Sequence, residues 1–232
     1  MDEESSNSKR KLYKGHVEIL MPHRITGLKV QKRNQQRINV YLDGGYAFGL
    51  SRITAAWLRV GQELNEEKIT ELKVQDLNEV AYQQALRYLK FRPRTETEIR
   101  RNLEGHHFTE QVIEDILIRL RESGLVDDTR FARAWIENRN EFRPRSRRAL
   151  SIELRQHGLD EDIAAEALAE IDDEALAYQA AIRQSGKLKN LEWLDFRRKL
   201  TGFLGRRGFN YEVISTVVKR VWDETQSERT VE

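Results

Sequence analysis

The sequence predicts a mainly α-helical chain: an elongated tandem array of three three-helix repeats, preceded by a small β-containing N-terminal domain. Three observations predict it. Phe91-Arg92-Pro93-Arg94-Thr95 recurs as Phe142-Arg143-Pro144-Arg145-Ser146, and two of the three prolines lie in these segments. At that offset of 51, Leu103 falls on Leu154, Phe108 on Leu159, Val112 on Ile163, Leu117 on Leu168 and Leu120 on Ile171. A looser copy follows at an offset of 50, through Leu204, Phe209, Val213, Val218 and Val221. A period near 50 marks stacked supersecondary units, none of which buries its apolar face alone. Residues 24 to 50, in contrast, alternate apolar and polar positions as strands do.

The front domain, residues 24 to 75, takes Ile25, Leu28 and Val30 as one strand and Ile38, Val40 and Leu42 as a second. Asp43-Gly44-Gly45 supplies a turn, and Tyr46 to Leu50 completes a three-stranded meander. A short helix holds Ala55, Ala56 and Trp57, and a second starts at Asn65 and runs towards Val74.

Repeat one (76 to 128) begins with a helix through Val80, Ala81, Ala85, Leu86 and Leu89, stopped before Pro93. Thr95 and Glu98 make a capping box for its second helix, and Thr109 caps the third, through Ile113, Ile116, Leu117 and Leu120. Repeat two (129 to 174) runs through Phe131, Ala134 and Trp135, then Ala149, Ile152 and Leu154, then from Asp160 as cap through Ile163 to Ile171. Repeat three (175 to 225) has a longer first connection, Ser185 to Asn190, and ends with Asn210 capping Val213 to Trp222. Before each third helix an apolar residue (Phe108, Leu159, Phe209) precedes the cap and can staple onto Ile113, Ala164 or Ile214. Gly158 and Gly208 suit a left-handed end to the second helix, whereas repeat one has His107 in that slot. Residues 1 to 23 and 226 to 232 are expected to be flexible tails.

Composition narrows the function. Cysteine is absent, which removes disulfides and thiol chemistry. No apolar run approaches the ~20 residues that span a bilayer, and the polar start lacks a signal-peptide core, so a cytoplasmic protein is expected. The net charge is only +2, but its distribution is uneven. Arg139 to Arg155 carries six arginines against Glu141 and Glu153; Asp160 to Glu174 carries eight acidic residues and no basic one. One surface can therefore meet phosphates while another meets a basic partner.

The candidate binding residues are the basic clusters: Arg92 and Arg94; Arg143, Arg145, Arg147 and Arg148; Arg197, Arg198 and Lys199; Arg206 and Arg207. They suggest a discontinuous track contacting phosphates or acidic protein once per repeat, since arginine's planar fork binds either bidentately. Around Arg143 to Arg148 a helix N-terminus is expected to add backbone N–H donors. The bland alternative is a solvated helix face. Asp127 and Asp128 read as caps, and Asp160 to Glu174 as a solvated or partner-facing surface. The histidines (His16, His23, His106, His107 and His157) lack i, i+4 spacing, so no metal or other cofactor is assigned. Trp57, Trp135, Trp193 and Trp222 are assigned to core or inter-repeat packing.

The tripled pattern resembles the RecX family, regulatory proteins of the RecA recombinase. Arg92 to Glu96 before the second helix, Gly124-Leu125-Val126-Asp127-Asp128 with Phe131-Ala132 and Trp135, and Arg206-Arg207-Gly208-Phe209 carry the resemblance. The front domain is similar to the extension of some members in Ile25 to Leu28, Tyr41 to Gly44 and Phe48-Gly49. The resemblance implies a non-enzymatic regulator that binds along the RecA–DNA filament and restrains it. Three units ~20 Å thick would make a rod on the order of 60 Å, enough to cross several protomers. Weak, sequence-independent binding to single- and double-stranded DNA and a monomeric state are also expected.

A competing reading is a helical repeat protein acting directly on nucleic acid, its third helices entering a groove. Glu110, Glu114 and Asp115, then Asp162, Glu166 and Glu170, put the wrong charge on those helices. An enzyme is the remaining alternative. The chain shows no phosphate-binding loop and no nucleophile–base pair to support one.

Overall fold

The computed structural model describes residues 22 to 231, with side chains to residue 227; His16 and the expected N-terminal tail up to residue 21 lie outside the described residues, and the last expected tail residue, His23, begins the first strand. The chain divides into two compact units, Met1–Val80 and Ala81–Glu232.

In the first unit, β1 (His23–Val30), β2 (Arg37–Leu42), β3 (Gly45–Ser51) and β4 (Glu63–Leu64) form an antiparallel sheet in the order β3-β2-β1-β4. The expected meander had three strands. The fourth arises because Gly61 (φ +93°) turns the chain back, pairing Glu63 and Leu64 with Arg24 and His23. Asp43 (φ 50°) and Gly44 (φ 89°) make the two-residue turn between Leu42 and Gly45, whose handedness matches the strand twist. Alternate strand residues Ile25, Val40 and Leu50 meet Leu64, Ile69 and Leu72 in one core.

The short helix before β4 is a 3-10 turn, Thr54–Trp57, and buries only Ala55. Trp57 is 89 % exposed, contrary to its assignment to packing. One turn of helix offers a single inward position, and the alanine occupies it.

α1 (Glu66–Leu89) is continuous where the sequence suggested two helices; residues 74 to 78 contain neither glycine nor proline to break it. Asp76, buried in α1, accepts hydrogen bonds from Arg37 Nη2 (2.8 Å) and the Ser51 N–H, fastening the helix to the sheet. The last turns of α1, from Ala81, lie in the second unit.

There, α1 with α2 (Glu96–Gly105) and α3 (Glu110–Glu122) forms repeat one. Repeat two is α4 (Asp128–Phe142), α5 (Arg147–Gln156) and α6 (Glu161–Ala167); repeat three is α7 (Asp173–Ser185), α8 (Trp193–Gly205) and α9 (Tyr211–Val231). Each owns a hydrophobic cluster. The equivalent second-helix residues Ile99, Leu150 and Leu200, then Leu103, Leu154 and Leu204, are all fully buried. Each contributes roughly 1.5–3 kcal/mol relative to exposure.

The caps follow the sequence with one exception. Thr95 and Glu98 form the capping box; Asp160 and Asn210 cap as expected; Thr109 occupies the N-cap of α3 without a side-chain bond, and Ser146, the counterpart of Thr95, caps α5 by accepting from the Ala149 N–H. Asp127 caps α4 through the Arg130 N–H, and Asp128 receives the Glu96 N–H. Two ends differ from expectation. α6 stops at Ala167, four residues short of Ile171, because the chain turns there to start α7 at Asp173. α9 continues to Val231 where a tail from residue 226 was expected, since no glycine or proline interrupts it.

Candidate functional site

The repeats join through their second helices, end to end. Thr95, fully buried at the start of α2, donates its hydroxyl to the His157 carbonyl at the end of α5 (2.7 Å). Thr97 does the same to the Gly158 carbonyl (2.7 Å). At the next junction the Ser146 N–H, at the start of α5, donates to the Arg207 carbonyl at the end of α8 (3.1 Å). Arg207 Nη1 returns a bond to the Pro144 carbonyl (2.9 Å). In both cases a helix N-terminus receives the carbonyl end of the helix from the following repeat, so opposite dipole ends meet.

This packing makes the two glycines necessary twice over. Gly158 has φ +78°, and a Cβ there would lie 2.4 Å from a Thr97 carbon. Gly208 has φ +90°, and its Cβ would lie 2.7 Å from Ser146 Oγ and 2.8 Å from Ala149 Cβ. Repeat one has no earlier repeat docked on its second helix, and His107 holds the left-handed slot at φ 64°.

At the first junction both arginines of the phrase gather on one carboxylate. Arg92 donates two hydrogen bonds to Glu98 (2.6 and 3.1 Å), which also meets His157 Nδ1 at 3.2 Å. Arg94 lies 3.9 Å from the same carboxylate, with its guanidinium 3.9 Å from the Tyr88 ring centroid. Burial opposes the charged form of Glu98, but the Arg92 and His157 bonds outweigh it and hold its pKa below the ordinary value.

At the second junction the balance is different. In repeat register Glu98 becomes Ala149, and His157 becomes Arg207. Arg145 bonds Glu153 (2.8 Å), but that carboxylate also serves Arg139 (2.8 Å) and the Trp135 indole (2.8 Å). Burial, then the fields of Arg145, Arg143 and Arg183, push the Arg207 pKa down. The cluster thus carries excess positive charge. Arg143, Arg148 and Arg206 are exposed and have no ion pair among the described residues.

Arg147 is structural here: its guanidinium reaches the Ile171 and Ala169 carbonyls, and its N–H donates to Asp173 (2.6 Å). The Ala149 N–H is likewise taken by Ser146. These two bonds occupy N–H groups at the start of α5 that the sequence offered as anion donors. Arg183, from α7, was missed by the sequence reading because it lies outside the repeated phrase; its bond to the Glu141 carbonyl brings it to the cluster. Of the third basic cluster, Arg198 pairs with Asp195 (2.9 Å), whereas Arg197 and Lys199 are exposed and have no ion pair among the described residues.

No helix is long and apolar enough to cross a membrane, and no metal-holding group of three His, Asp or Glu occurs among the described residues.

Known proteins show the same modular order. The model for the regulatory protein RecX N-terminal domain matches residues 23–65. Those for the first, second and third RecX three-helix domains match 81–120, 127–168 and 172–218. A regulatory protein RecX from Amycolatopsis mediterranei is 36% identical over 146 residues, covering 62% of this chain and 83% of the relative. One from Clostridium botulinum is 30% identical over 203 residues, covering 84% and 95%. A crystal structure of regulatory protein RecX superposes with a TM-score of 0.64 at 28% identity, over 84% of this chain and 98% of that one.

Proposed function

The chain belongs to the RecX family of regulatory proteins, and we propose that it binds a RecA–DNA filament and restrains recombinase activity in the cytoplasm. The observation that carries this reading is the excess of guanidinium groups at the junction of repeats two and three. An arginine cluster with one shared carboxylate is electrostatically incomplete, and phosphate or an acidic protein face completes it. Arg143, Arg148 and Arg206 offer forks there that have no ion pair among the described residues. Two features argue against a groove-reading helix as the main contact. Glu110 and Glu114 of α3 are engaged by Arg100, and α6 is seven residues long and acidic at its start. We assign no catalytic role to any residue.

Inhibition of recombinase ATPase and strand exchange by the wild type and by R143A/R148A/R206A tests the reading. The variant should retain its helical circular dichroism and lose most inhibition, with the largest difference at low salt. Equal inhibition by both proteins would remove this junction from the mechanism.

A further inference from the structure

The seam between the second and third helices of a repeat is sealed in repeat one and open in repeat three. In repeat one, Arg100 of α2 bonds Glu110 and Glu114 of α3 (2.7 Å to the latter). Arg121 of α3 reaches Glu96 (3.5 Å) and Glu114 (3.2 Å). The chain's own carboxylates therefore close that seam. The repeat register places different residues in repeat three: Arg197 for Glu96, Thr201 for Arg100, Tyr211 for Glu110 and Ser215 for Glu114. All three carboxylates are gone, one replaced by an arginine, and Lys219 stands where Ile118 was.

The result is an open groove of about 580 Å³ between α8 and α9. Its floor is apolar, built from Trp193, Ile214 and Val218, with Leu194 and Tyr211 standing 75 % and 70 % exposed at its sides. Arg197 and Lys219 line it and have no ion pair among the described residues; Arg198, also at the rim, is held by Asp195. Among the described residues, no carboxylate lines the groove.

We propose that this groove is a docking site for an acidic protein segment carrying at least one large apolar side chain. The apolar side chain would cover the floor between Leu194 and Tyr211, and carboxylates would pair with Arg197 and Lys219, supplying the charge that Glu96, Glu110 and Glu114 supply in repeat one. A nucleic-acid backbone meets only half of that description, since phosphates leave the apolar floor uncovered. The inference does not rest on the filament reading, because these residues are separate from the arginine cluster at the junction.

Fluorescence anisotropy of the full chain tests it with three labelled probes. One is a peptide of ~12 residues with Leu-Phe-Leu flanked by Asp and Glu. The second replaces the apolar trio with serines, and the third is an oligothymidylate of the same length. The first peptide should bind saturably, and the serine peptide about tenfold or more weaker. R197E/K219E should weaken the first peptide by a similar factor with unchanged circular dichroism, and L194S by a smaller one, whereas R143A/R148A/R206A should leave its binding intact. Absence of saturable binding by the first peptide overturns the proposal. So does equal binding of the serine peptide, or preferential binding of oligothymidylate that R197E/K219E abolishes.

Discussion

The two junctions between repeats share a backbone design and differ in charge. At the first, Glu98 gathers Arg92, Arg94 and His157, and the basic residues of the phrase Phe-Arg-Pro-Arg are consumed in holding repeats together. At the second, alanine replaces that glutamate and arginine replaces that histidine, so the same phrase leaves positive charge unspent. A repeated basic motif is therefore not a repeated binding site. Its role is set by whether the adjoining repeat contributes an acid.

The shared design is the easiest part to break. Gly158→Ala and Gly208→Ala each force a Cβ against a neighbouring repeat while keeping a left-handed φ. Strain from the backbone and overpacking together should cost about 2–4 kcal/mol. Gly105→Ala, near the unoccupied end of α2 and with nothing within 4 Å, should stay within about 0.5 kcal/mol. Urea midpoints for the three variants check this; a loss at Gly105 equal to that at Gly158 would mean that docking is not what the glycines serve.

The next effect separates the junctions by charge. Glu98→Gln leaves Arg92 and His157 without their shared anion and should cost about 1–3 kcal/mol at neutral pH. The sign with pH follows from the lowered pKa. A carboxyl depressed in the folded state stabilises above its unfolded value of about 4.3, and that stability is lost as pH falls through the folded value. The gap between wild type and Glu98→Gln should therefore close on acidification below about pH 4. A gap that persists there would assign the loss to packing instead of charge.

Much of this architecture could be read in the sequence, and the reasons for success and failure are physical. Apolar phase and caps are local, so the three helices of each repeat, the Thr95 box and the left-handed Gly158 and Gly208 followed from spacing alone. Close approach is not local: nothing near Gly158 in sequence announces Thr97, 61 residues away. The same holds for charge. Arg92, Arg94, Arg145 and Arg147 look like binding residues until Glu98, Glu153 and the Ile171 carbonyl are placed beside them. Trp57 was misplaced for the opposite reason, since helical spacing implied an inward face that a single 3-10 turn does not provide.

The smallest effect is the sharpest test of the contrast, because it compares one residue with its register mate. Arg92 and Arg143 are equivalent in the repeats, but only Arg92 has a carboxylate partner among the described residues. Arg92→Ala should lower stability by up to about 1 kcal/mol, limited by its partial exposure, and leave the salt dependence of DNA binding unchanged. Arg143→Ala should do the reverse: stability within about 0.5 kcal/mol, and a log K against log[salt] slope shallower by about 0.7–0.9, one phosphate contact. Measuring both quantities for both variants is decisive because a generalised loss of positive charge would flatten the two slopes alike. Were Arg92→Ala to change the slope and Arg143→Ala to change the stability, the assignment of one junction to cohesion and the other to binding would be inverted.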